Sequence, residues 1–140
     1  MAADLAVNLQ SIANELNKIE IRAPLVVEGY RGRLTEKLNK LLAEVGVQSE
    51  LGDVVREVGL FAERTDISEE IVRLKSHLEQ FTGVMASEES QGRKLEFLTQ
   101  EMFRETNTIG SKANDAEIAR HVIEIKTAIE RMREMIQNVE

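Results

Sequence analysis

Hydrophobic positions recur along almost the whole chain at alternating steps of three and four residues, the period of a helix rather than of a strand. Leu5, Leu9, Ile12, Leu16 and Ile19 make the first seam, and Ala23, Val26 and Tyr30 continue it nearly in phase. Pro24 falls inside it, so the pattern predicts a helix that kinks there or restarts with Pro in its first turn. Leu34, Leu38, Leu41 and Val45 carry the pattern past Gly29 and Gly32, each of which costs roughly 1 kcal/mol in a helix interior. Gly46 reads as the closing C-cap. Residues 1–47 are thus expected to form a long helical arm, broken near Pro24.

Residues 48–140 read as a helical domain joined to that arm in one structural unit. Leu51, Val54, Val58 and Phe61 define a short helix. Asp66 and Glu69 have capping-box spacing and open a regular seam of Ile67, Ile71, Leu74, Leu78, Phe81 and Met85. Ser87 to Gln91 lacks periodicity and reads as a loop. The next helix carries Leu95, Leu98, Met102 and Ile109 on one side, and Gly110 to Asn114 is expected to end it as a flexible link. Asn114 or Asp115 then caps a last helix whose seam runs from Ile118 through Val122, Ile125, Ile129, Met132 and Ile136 to Val139. The fold class expected is all-α, a helical bundle or set of long antiparallel hairpins with coiled-coil-like seams.

Composition supports this and narrows the function classes. The chain has 140 residues, 42% hydrophobic and 31% charged, one proline, and aromatics at only 4%, so its core must be aliphatic, which favours helix-on-helix packing. Without cysteine there is no disulfide framework and no thiolate metal site. No apolar run approaches a bilayer span and the first residues do not resemble a secretory leader, so the expected location is cytoplasmic, with no membrane partner. A net charge of −7 argues against a general nucleic-acid binder, and DNA is not an expected partner. It leaves room for a local site: Gly92 to Lys112 holds four basic and three acidic side chains. Narrow seams at both ends of the chain predict a homo-oligomer.

The polar sides of two helices carry the candidate chemistry. Arg93, Gln100, Arg104, Asn107 and Ser111 follow one another at helical spacing, and Glu101, Glu105 and Thr108 form a second line beside them. On the preceding helix Glu70, Arg73, His77 and Gln80 make a polar stripe at the seam's edge. If the two helices pair, His77 faces Glu101 and Glu105. An imidazole with two carboxylates four residues apart suits a Mn²⁺ or Mg²⁺ site, or general acid and base roles. The competing reading is a seam-flanking histidine with ordinary helix ion pairs. Arg93 and Arg104, three turns apart, share a face and suit phosphate oxygens or a neighbouring chain. Asn107, Ser111 and Lys112 suit ribose or phosphate contacts, and equally suit helix termination. His121, beside the last seam near Glu117 and Glu124, reads as structural.

The run GRKLEFLTQEMFRETNTIGSK resembles the C-terminal signature of the YicC/YloC family of bacterial endoribonucleases, and the flanking EEIVRLKSHLEQF and NDAEIARHVIEIKTAIERMREMIQNVE are similar to it as well. Phe103, Thr106 and Glu96 stand where that pattern leads one to expect Asn, Ala and Asp. Members are about twice as long, so the chain resembles the C-terminal half. The resemblance implies metal-dependent cleavage of RNA, with RNA as partner and an oligomeric assembly. It makes His77, Glu101 and Glu105 the expected catalytic and metal-holding residues. Arg73, Arg93, Gln100, Arg104, Asn107, Ser111 and Lys112 become the expected RNA or phosphate contacts. The alternative is a non-catalytic helical module for oligomerisation or partner binding, which the acidic charge and long seams favour.

Overall fold

The computed structural model describes residues 1–45, 51–87 and 91–139. They form five helices: α1 (Ala2–Val45), α2 (Leu51–Arg64), α3 (Ser68–Met85), α4 (Gly92–Lys112) and α5 (Ala116–Val139). No strand occurs among the described residues, and the protein is all-α as expected. The expected C-cap at Gly46 and most of the 87–91 loop lie outside the described residues.

Side-chain pairs set the topology. Glu15 meets His121 and Arg22 meets Asp115, so α1 and α5 are antiparallel. Arg73 meets Glu105 and Lys112 meets Glu70, so α3 and α4 are too. Asn107 with Lys126 and Glu96 with Gln137 give the same relation for α4 and α5. The first half of α1 therefore closes a four-helix bundle with α3, α4 and α5. Its core is aliphatic, with Leu5, Ile12, Leu16, Ile19, Leu74, Met102, Ile109, Ile118, Ile125 and Ile129 all but fully buried and Phe81 among them. Burying each such side chain contributes about 1.5–3 kcal/mol, which is what makes the narrow stripes stick.

The second half of α1 projects beyond this bundle, with α2 folded back along it. Tyr30 stacks on Phe61 at a centroid distance of 4.0 Å where the two meet. The expected seam is only partly realised here: Leu34 and Leu38 are half-buried and Leu41 is exposed, because only one helix is there to cover them. α1 runs through Pro24 as one element of 44 residues rather than restarting there. Pro24 is exposed, so the carbonyl of Glu20 that loses its helical partner faces the solvent side.

Three local expectations shift. The Asp66–Glu69 capping box is not what opens α3. The helix begins at Ser68, whose N–H and Oγ both donate to Asp66 Oδ1 at 3.0 and 2.6 Å, while the Asp66 N–H reaches the carbonyl of Glu63. Gly110 does not end α4, which continues to Lys112. A Cβ at Gly110 would lie 3.2 Å from Val122 Cγ1, so the glycine serves the close approach of α5. The turn is made by Asn114, the non-glycine residue at positive φ (50°), and Asp115 caps α5 by accepting from Ile118 N–H at 3.1 Å.

Candidate functional site

The seam between α3 and α4 holds a charge network that begins with Glu70. This residue lies three after Ile67 and one before Ile71, at the margin of the apolar stripe, so folding draws it inward until it is 4% exposed. Its Oε1 accepts from Lys112 Nζ at 3.0 Å and stands 3.6 Å from Arg73 Nη2. Its Oε2 is buried without a hydrogen-bond partner. Across the seam Glu105, also buried, accepts from Arg73 Nε at 2.9 Å. Arg73 Nη1 reaches Glu69 at 3.4 Å. One guanidinium thus ties three carboxylates of two helices while nearly half its surface faces solvent.

The electrostatics follow. The hydrogen bond to Glu105, helped by the charges of Glu105 and Glu70, pushes Arg73 further above its already high range, against the opposing effect of burial. Asp66, just before α3, is held below the usual carboxylate range, first by its two hydrogen bonds from Ser68 and then by the charge of nearby Lys112. Two buried carboxylates paired with cations that still reach water make a fixed, partly open polar surface.

The expected site residues divide accordingly. Arg73, Glu105 and Lys112 are brought together. The register that pairs Arg73 with Glu105 puts His77 level with Glu101, one turn further along, but no hydrogen bond joins them; His77 Nδ1 is buried and unpartnered, and Glu101 pairs with Arg104 at 3.6 Å. Among the described residues no group of three or more His, Asp or Glu side chains is placed to hold a metal ion. Asn107 turns to the other side, accepting from Lys126 on α5 at 2.9 Å. Arg93, Gln100, Arg104 and Ser111 line the solvent face of α4, where the Ser111 hydroxyl donates to the carbonyl of Thr108. Glu70 was in the polar stripe but not among the expected site residues; its distinguishing signal was its place at the edge of the apolar seam. His121 is structural as expected, its Nδ1 2.6 Å from Glu15 Oε2.

Fold and seam together define an antiparallel helical domain with a carboxylate–guanidinium network between its third and fourth helices. Residues 19–140 match the family described as endoribonuclease YicC-like, C-terminal, and the chain belongs to that family. It is 41% identical over its whole length to a Clostridioides difficile (strain 630) protein named "Probable endoribonuclease YicC", of which it covers 47%. It is 38% identical over 132 residues, 94% of its length, to a Haemophilus influenzae protein of the same name, covering 45% of that one. The chain therefore spans about half the length of the curated relatives it matches. No helix among the described residues is long and apolar enough to cross a membrane.

Proposed function

We propose that this chain is the helical half of an endoribonuclease and that the α3–α4 seam handles the RNA phosphate being cut. The observation that carries the reading is Arg73, held between buried Glu105 and Glu70 while its outer edge stays wet. Burying carboxylates costs several kcal/mol each unless they are paired, and apolar residues commonly serve stability as well or better. A network of this kind is better accounted for by what it positions.

In this reading Arg73 and Lys112 present their free N–H groups to the phosphate oxygens. Because the carboxylates behind them already fix their positions, they stabilise the charge that builds on phosphorus oxygens without reorganising first. Cleavage also needs a base for the attacking hydroxyl and an acid for the leaving oxygen; His77 and Glu101, level with each other across the seam, are the groups for that exchange. Arg93, Arg104, Gln100 and Ser111 extend the contact along the exposed face of α4.

The test is cleavage of an end-labelled single-stranded RNA by the purified chain with Mn²⁺, Mg²⁺ or EDTA, beside Glu101→Gln and Arg73→Gln. Cleavage that falls at least tenfold in both variants is expected, and the EDTA arm reads metal dependence. Undiminished cleavage in both variants would overturn the assignment. One observation favours a second reading, a helical assembly module: the projecting arm exposes Leu41, Leu42, Val55 and Leu60. A folded chain that is oligomeric by light scattering and cuts no RNA would leave that reading standing.

A further inference from the structure

The chain has five aromatic side chains, four Phe and one Tyr, and three are packed. Phe81 and Phe61 are buried, and Tyr30 stacks on Phe61. Phe103 is exposed but has Lys126 Nζ 5.3 Å from its ring centroid. Phe97 is left, 56% exposed, with no ring or cation partner among the described residues. A single exposed apolar residue is ordinary. Its neighbours are what set this one apart.

On α4, Phe97 follows Arg93 by one turn and precedes Arg104 by two. At 3.6 residues per turn, Arg93, Phe97, Gln100 and Arg104 fall within a sector of about 60°, and at 1.5 Å per residue they span roughly 16 Å of helix axis. All four are exposed. Arg93 has no ion pair among the described residues, and Arg104 is held only by Glu101 at 3.6 Å. The opposite side of the same helix, with Leu95, Leu98, Met102 and Ile109, is locked into the core, so the stripe is rigid. A fixed ring between two guanidinium groups and an amide matches the needs of one ligand class. Bases of single-stranded nucleic acid stack on aromatic faces, arginines take the flanking phosphates, and an amide can read a base edge or a ribose.

We propose that Phe97 is a base-stacking platform for single-stranded RNA, with Arg93 and Arg104 on the phosphates to either side and Gln100 hydrogen-bonded to the stacked nucleotide. The proposal rests on the reading of the chain as an RNA enzyme, but it concerns binding and is read without cleavage. The stripe lies on the outer face of α4, beside the charge network rather than within it, so it grips the strand next to the scissile phosphate. The other occupant such a ring admits is a second copy of the chain. Two arginines with at most one carboxylate partner are poorly matched to burial between proteins and well matched to phosphates.

The experiment titrates the chain with a short single-stranded RNA carrying 2-aminopurine, without added divalent ions, and compares Phe97→Leu, Phe97→Trp, Arg93→Gln and Glu101→Gln. Solution mass is read by light scattering. Expected are a roughly tenfold loss of affinity and loss of the stacking quench in Phe97→Leu, both restored in Phe97→Trp. The salt dependence is expected to be unchanged by Phe97→Leu and its log–log slope to be shallower by about 0.7 in Arg93→Gln. Wild-type affinity in Phe97→Leu, or no binding by the parent chain, overturns the proposal. So does a fall in solution mass in Phe97→Leu, which assigns the ring to contact with a second copy. If the quench survives in Glu101→Gln while the parent chain never cuts RNA, the platform stands and the cleavage reading falls. Intact cleavage with unaltered RNA affinity in Phe97→Leu gives the reverse.

Discussion

The two halves of α1 carry nearly the same apolar period and meet different surroundings. From Leu5 to Val26 the helix buries about one side chain per turn against α5 and α3; from Arg31 to Glu44 it buries none, and Leu34 and Leu38 are half-covered by α2. Periodicity states which face of a helix is apolar. Whether enough partners arrive to cover that face is decided elsewhere in the chain, here by a bundle of four helices at one end and a pair at the other.

That contrast can be broken or sharpened by substitution. The largest effect is expected in the bundle core, where Ile129→Ala leaves a cavity at a fully buried site and lowers the unfolding free energy by about 3 kcal/mol; Val55→Ala, on the exposed side of α2, changes it by less than about 0.5 kcal/mol. Urea titration of both variants reads the difference, and equal losses would mean that the arm is buried in solution. Glycines give a finer contrast. In the bundle, Gly110→Ala pushes a Cβ against Val122, whose branched side chain cannot turn away within its helix, so stability falls by about 1 kcal/mol despite the better helix propensity. In the arm, a Cβ at Gly59 meets nothing within 4 Å, and Gly59→Ala raises stability by about 0.5–1 kcal/mol, visible as a higher thermal midpoint.

The smallest effect is a pH dependence at the junction of the two regions. Asp115 accepts two hydrogen bonds from Arg22 on α1, at 3.1 and 3.2 Å, while capping α5. The bonds from Arg22, more than the cap, hold its carboxyl below the ordinary 3.8. A lowered folded-state value means that the stabilisation is present above the unfolded value and is lost as the pH falls through the folded one. Asp115→Asn is therefore expected to lower stability at pH 6 and to flatten the loss of helical circular dichroism below about pH 3.8. An acid limb identical to that of the parent would show that Asp115 contributes nothing there.

Much of this architecture was readable before any coordinates. Four or five helices and the core residues of the last three follow from spacing alone, because each of those stripes finds a matching stripe. The pairing of α3 with α4 is legible only as a condition, under which spacing sets His77 opposite Glu101 and Glu105; that Arg73 is the residue that meets Glu105 is not. What escaped were facts of depth and phase. Glu70 sits at a stripe's edge, and only the crossing of the two helices decides that such a position ends at 4% exposure. Asn107 shares its helix with the expected contacts but is rotated toward α5 and Lys126. Gly110 reads locally as a helix stop, yet its role is set by Val122, a residue of the next helix. His77 and Glu101 reach the same level without a hydrogen bond between them, which no spacing rule resolves.

The continuity of α1 through Pro24 has a mechanical meaning. A single rod about 66 Å long is clamped along its first half, and the remainder, from Val26 outward, is a lever of roughly 28 Å. Whatever loads the tip applies a torque at the clamp, and the clamp's outermost fasteners are the bonds from Arg22 to Asp115 and Glu117 at the start of α5. The missing proline hydrogen bond spans Glu20 to Pro24, the turn that carries Arg22, which makes that turn the most compliant section of the rod and the place where a push on the arm is felt first by the bundle.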